Sequence, residues 1–232
     1  AGPNSFRFIR KKISSFKSKF LLTLSGWGDA DMINFYDQDD KFIQPLAAKK
    51  NPVGESLSLM AKLFGAQYVI PFSSFHEYQR EDSVWANKYI TQYNDYSNGI
   101  HKDITFIKPF TFVDSTKKDE FCTLEIKKKE LNIKSPDVFG DNWNDSLDLK
   151  DSKIIENYFS KFELLKEKIG FINFRVGKKD FNLKFRGPKK RGISFELPRN
   201  SLVTACKYNI FDDLLIGNYM KTKLYNLKSL YD

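Results

Sequence analysis

Histidine is almost missing from this chain: His76 and His101 are the only two in 232 residues. A self-contained zinc site needs three or four ligands, and two distant histidines without paired cysteine ligands do not compose one. Also absent are the phosphate-binding P-loop, the Gly-x-Gly-x-x-Gly turn of dinucleotide binders and the Gly-x-Ser-x-Gly nucleophile elbow. A complete catalytic centre is therefore not visible in the chain alone. Cysteine is equally scarce. Cys122 and Cys206 lie far apart beside apolar residues, which predicts two buried thiols in a reducing compartment rather than a disulfide. No apolar run approaches the roughly 20 residues that cross a bilayer, and there is no cleavable hydrophobic leader. No membrane span is expected, and the location is read as cytoplasmic.

Aromatic residues, by contrast, are plentiful. Hydrophobic residues make up 41% of the chain and aromatics 16%, including 22 Phe, which predicts a globular protein with a phenylalanine-rich core. The formal net charge of +9 invites an acidic partner. The lysines, however, are scattered as pairs and triples among acids, which reads as a solvated surface and makes nucleic acid an unlikely partner. The first residues, Ala1-Gly2-Pro3-Asn4-Ser5, carry no initiator methionine and run straight into a basic amphipathic helix. They read as the inside of a fold, and the expectation is a fragment whose first half, or a partner chain, lies elsewhere.

Along the chain, residues 5–19 place Phe6, Ile9, Ile13 and Phe16 near helical spacing. A strand is predicted at 20–25, then the glycine-punctuated loop Gly26-Trp27-Gly28-Asp29-Ala30-Asp31 and a helix from about Met32. A helix at 57–64 ending on Gly65 leads into a strand at 67–70, so two αβ units fall within residues 1–95. Residues 96–150 read as an insertion or irregular loops, with strand-like pieces at 104–107, 109–113 and 121–126. Residues 151–232 read as a subdomain of helix (152–169), three-strand meander (171–176, 181–185 and 193–197) and a terminal helix or pair of helices. The fold class predicted is α/β, of the layered α+β kind.

The stretch 65–83 gathers most of the candidate chemistry. Its apolar run stops at Pro71 and opens into Ser73, Ser74, His76, Glu77, Arg80, Glu81 and Asp82, the pattern of a buried strand delivering polar groups at its carboxyl end, where layered proteins keep their sites. His76 could take its tautomer from a neighbouring carboxylate, or be a hydrogen-bonded loop residue. Arg80 could grip an anionic group bidentately, or pair with Glu77 or Asp82. Asp29 and Asp31 could hold a cation or orient a substrate, or cap a helix. His101 reads as a surface residue, and Trp85 as a stacking platform or a packing residue.

Three segments together resemble the C-terminal half of metallo-β-lactamase-fold proteins: Leu24-Ser25-Gly26-Trp27-Gly28-Asp29-Ala30-Asp31, Tyr68-Val69-Ile70-Pro71-Phe72-Ser73-Ser74-Phe75-His76, and Ile210-Phe211-Asp212-Asp213-Leu214-Leu215-Ile216-Gly217-Asn218-Tyr219-Met220. The similarity is nearest to the branch around CMP-N-acetylneuraminate hydroxylase, and the middle, 95–170, matches poorly. The resemblance implies an αββα sandwich with a metal site straddling its two halves, the His-x-His-x-Asp-His motif belonging to the first. Zinc or iron would then serve the intact protein, with none bound by this chain alone, in a hydrolase-like reaction on a small anionic substrate, phosphorylated or of sugar-nucleotide type. A hydroxylase-like oxygenase component and a non-catalytic assembly module of the same fold are the alternatives. Where hydrolase relatives carry a metal-binding His after the second strand, this chain has Pro71-Phe72, so no ligand transfers there. His76 is the substitute metal ligand that the chemistry suggests. Trp27, Asp29, Asp31, Ser73, Ser74, His76 and Arg80 are the candidate pocket residues.

Overall fold

A computed structural model describes residues 3–73, 75–117, 120–125, 127 and 130–228. In chain order the helices are α1 (Pro3–Ile13), α2 (Val53–Phe64), α3 (Leu149–Phe159), α4 (Glu163–Lys168), α5 (Arg199–Tyr208) and α6 (Phe211–Ile216). The strands are β1 (Phe20–Thr23), β2 (Phe35–Tyr36), β3 (Tyr68–Pro71), β4 (Thr105–Phe106), β5 (Thr111–Asp114), β6 (Glu120–Thr123), β7 (Phe171–Val176), β8 (Lys179–Lys184), β9 (Gly192–Glu196) and β10 (Lys221–Tyr225). The protein is a mixed α/β chain of the α+β kind. Its residues form two compact units, one from Ala1–Gly28, Lys50–Glu77 and Tyr89–Leu131, the other from Asp29–Lys49, Tyr78–Lys88 and Asn132–Asp232.

The first unit is built on a parallel sheet of order β1-β3-β4. Helix α2 ends where Gly65 takes φ 72°, and the Gly65 amide donates to the Lys62 carbonyl, closing the last turn. Strand β3 follows at once and pairs in parallel with β1, Phe20 opposite Tyr68 and Leu22 opposite Ile70. Alternation then sorts the side chains. Val69 is buried with Leu57 and Ala61 of α2 and with Ala66 and Ile104, and Leu21 and Phe106 pack onto that cluster. Phe20, Leu22, Tyr68 and Ile70 point to the other face. There the Phe20 and Tyr68 rings stack at 4.7 Å, Phe121 of β6 meets Tyr68 at 5.5 Å, and Leu22 stays 60% exposed. Helix α1 rests on α2 through an edge-to-face contact of Phe6 with Phe64.

The second unit holds a five-stranded mixed sheet of order β2-β10-β9-β7-β8. Its β7–β8 hairpin turns on Gly177 (φ 56°) and Lys178 (φ 62°), a pair of left-handed residues whose twist matches that of the flanking strands. The core is the phenylalanine cluster that composition foretells: Phe174, with no exposed surface, lies among Phe159, Phe195 and Phe211, and Leu202 of α5 and Leu224 of β10 complete it. Helix α3 starts at a capping box in which the Asp148 carboxylate accepts from the amides of Lys150 and Asp151.

The helix expected over 152–169 is two helices, α3 and α4, separated by a turn at 160–162. The helix expected from Met32 is only a 3-10 turn, Asp29–Met32, after which the chain extends as β2 to pair with β10. Strand β10 itself falls where the terminal helices were expected to end the chain. Of the two thiols expected to be buried, Cys206 is buried and Cys122, on the separate two-stranded sheet β5–β6, is exposed. Burial pushes the Cys206 thiol up to about 12, which keeps it protonated and shielded. A disulfide-exchange reagent is therefore expected to titrate about one thiol per native chain and both after denaturation.

Candidate functional site

In the second unit, parts of the segments singled out in sequence converge. The carbonyl of Tyr78 accepts from Asn87 Nδ2 (2.9 Å) and its amide donates to Asn87 Oδ1 (2.7 Å), fixing the backbone at Tyr78. The Tyr78 phenol donates to the Asp29 carboxylate and accepts from Asn218 Nδ2 at 2.7 Å. The same Asn218 amide reaches the Asp29 carbonyl at 3.3 Å. Asn218 is fully buried and takes φ 61°, a left-handed value that asparagine tolerates. Burial, reinforced by Asp29, holds the Tyr78 phenol far above its ordinary value. Tyr78 is thus a locked proton donor rather than a base. Around it, Ser83 Oγ donates to the Gly217 carbonyl and Trp85 Nε1 to the Asn218 carbonyl, each at 2.8 Å, and the Trp85 ring packs edge-on against Phe42.

Arg80 is held in the same unit by two carboxylates. Its Nε and Nη2 donate to the two oxygens of Asp82 at 2.7 and 3.1 Å, and Nη1 donates to Asp141 at 2.6 Å. The guanidinium lies over the Tyr219 ring at 3.9 Å, a cation–π contact. Asp141, 2% exposed, also accepts from the Ser201 hydroxyl (2.6 Å) and the Ser201 amide (3.0 Å), so it caps the start of α5 from outside the helix. Trp143 Nε1 donates to Asp82 at 2.9 Å. The fork that could have held an anion is committed to Asp82 and Asp141.

In the first unit the loop following β1 is pinned from three sides. The Ser25 amide donates to Ser73 Oγ (3.3 Å) and the Trp27 amide to Thr91 Oγ1 (2.8 Å). The fully buried Tyr96 sends its hydroxyl to the carbonyls of Ser73 (2.9 Å) and Ser25 (3.4 Å). Gly26 is obligatory at its place: φ is 87°, and a Cβ would stand 2.4 Å from the Tyr96 hydroxyl oxygen. The rigid loop walls a cavity of about 260 Å³ at the carboxyl end of β1, whose opposite side is the start of α2; Ser25, Trp27, Asn51, Ser56 and Met60 line it. Ligands of parallel sheets bind outside the carboxyl ends of their strands.

Of the sequence candidates, Trp27 lies in this pinned loop and Ser73 holds it through the Ser25 amide. Asp29 and Arg80 lie in the second unit, Asp29 locked to Tyr78 and Arg80 to its acids. Asp31 sits half-buried in the 3-10 turn Asp29–Met32, and His76 is exposed. Ser74 lies outside the described residues. His101 accepts from the Asp103 amide at Nδ1, 3.3 Å, on an exposed turn. Among the described residues no three His, Cys, Asp or Glu side chains come together as a metal centre. The residues that sequence reading missed are Tyr78, Thr91, Tyr96, Asp141 and Asn218. Tyr78 and Asn218 lay inside segments already singled out, whereas Asp141 sits in a loop with no periodic signal. No protein-family model, curated protein or solved structure matches this chain.

Proposed function

We propose that this chain is the C-terminal portion of a metal-dependent, hydrolase-like enzyme of the metallo-β-lactamase fold, with the main metal motif outside it. One observation supports the reading most: the sheet β1-β3-β4 is parallel, yet α2 covers only one of its faces. Parallel sheets are apolar on both sides and are normally covered on both. Here the second face carries Phe20, Leu22, Tyr68 and Ile70, with Leu22 60% exposed and Leu24 and Phe72, just past the strand ends, 69% and 52% exposed. An apolar face of this kind suits one half of a two-sheet sandwich. Among the described residues no three His, Cys, Asp or Glu side chains gather to hold a metal, and no catalytic step is assigned to this chain. Its part is to supply a sheet and, in the loop Ser25–Trp27 with Ser73, a rigid wall beside a cavity that a small anionic substrate, phosphorylated or of sugar-nucleotide type, would enter.

Elemental analysis of the purified chain after dialysis against zinc or ferrous iron tests this division of labour. Bound metal is expected to stay well below one ion per chain. Tight, stoichiometric binding would contradict it, and loss of that binding in His76→Ala would identify the exposed histidine as a ligand in its own right.

A further inference from the structure

We propose that the outward side of α1 and the turn after it form a docking surface for an anionic lipid membrane. Phe6 points inward to Phe64 of α2, and the Arg10 stem runs beside Gly65. The opposite side carries Phe8, 61% exposed, and beyond the helix Phe16 is 62% exposed. Phe8 is followed at helical spacing by Lys11 and Lys12, and the Lys12 ammonium lies 5.6 Å from the centre of the Phe8 ring. Arg7, Lys11, Lys12 and Lys17 are exposed as well. Residues 1–28 contain six Lys or Arg and no Asp or Glu, the longer of two such basic stretches, the other being residues 181–195 with five Lys or Arg and no acid. Charge complementarity therefore selects an anionic partner.

The phenylalanines select a lipid one. A helix that lies in a bilayer interface sinks aromatic side chains to the acyl boundary while lysine and arginine stems extend their charges to the headgroups. Each cation held near an anionic leaflet adds to the attraction, which falls off within a Debye length. A nucleic-acid duplex would use the cations but leave both rings in water, and a single strand, whose bases can stack on aromatic rings, is told apart by the oligonucleotide measurement. The helix lies on the membrane and does not cross it, and the surface is independent of any catalytic role of the chain.

Co-sedimentation tests this with phosphatidylcholine vesicles containing about 30 mol % phosphatidylglycerol, and with phosphatidylcholine alone. The native chain is expected to pellet with the anionic vesicles only, and less as salt rises. Lys11→Glu with Lys12→Glu should weaken binding by about tenfold or more, and Phe8→Ser with Phe16→Ser should weaken it at unchanged charge. All four side chains are exposed, so thermal unfolding should be unaltered in both variants. The salt dependence of the native chain is decisive even where a variant misfolds. The proposal is overturned if the native chain does not pellet, if its binding ignores salt, if the phenylalanine variant binds as the native chain does, or if a single-stranded oligonucleotide is bound and vesicles are not.

Discussion

Replacing Arg80 by methionine is expected to lower stability by about 3–5 kcal/mol, measured by urea unfolding followed through tryptophan fluorescence. The large size follows from what is left behind. Asp82 and Asp141 would lose their shared counter-charge, and Asp141, 2% exposed, has almost no access to water. Stranding a buried carboxylate costs more than the pair contributed, because desolvation has already been met on folding. Asp141 also holds the Ser201 amide at the start of α5, so its displacement would loosen that helix. Arg80→Lys should recover only part of the loss, since an ammonium cannot reach both Asp82 oxygens and Asp141 in one plane. A cost below about 1 kcal/mol, typical of exposed ion pairs, would mean that Arg80 is not a structural clasp. Its charge would then be free for a ligand, as the sequence alone allowed.

Tyr96→Ala is expected to cost the first unit about 3–5 kcal/mol, the range for deleting a buried aromatic ring. The ring is fully buried and packs on Phe75 at 5.1 Å. Its hydroxyl fixes the loop before Trp27 and the carbonyl of Ser73, so the loop that walls the cavity should lose its shape as well. Tyr96→Phe keeps the ring and should cost only about 1 kcal/mol. The native chain and Tyr96→Phe also part in their response to alkali. Burial raises the Tyr96 phenol from the ordinary 10.0 to about 12. With the folded value above the unfolded one, its contribution is full below pH 10 and is lost as the pH rises through about 12. Thermal melts across that window should show this loss in the native chain and a smaller one in Tyr96→Phe.

The elements legible in the sequence were those whose cause is local. Gly65 announces the end of α2 because a residue without Cβ takes the left-handed cap at no steric cost. The strands expected at 171–176 and 181–185 are β7 and β8, and the left-handed Gly177 and Lys178 between them form the tight turn. What was hidden depends on distant partners. Strand β2 exists because Phe35 and Tyr36 pair with Thr222 and Lys223, nearly two hundred residues on by the numbering. Strand β10 is flanked by helical signals and is extended by its antiparallel match to β9. At the site, reading by residue type favoured His76 and Arg80, the side chains with the most chemistry. In the second unit the connections run through Arg80 with Asp141 and through Tyr78 with Asn218, and in the first through Tyr96; Tyr96, Asp141 and Asn218 are buried, and burial cannot be read from a residue's own neighbours in sequence.

If the face of the β1-β3-β4 sheet opposite α2, met in part by Phe121 of β6, belongs to one half of a metallo-β-lactamase-type sandwich, the gene should show it. Sequencing the gene upstream of the Ala1 codon tests it most directly. An open frame that continues upstream and encodes a His-x-His-x-Asp-His motif is expected. A stop codon followed by an initiator immediately before Ala1, with no such motif in the frame, would contradict it.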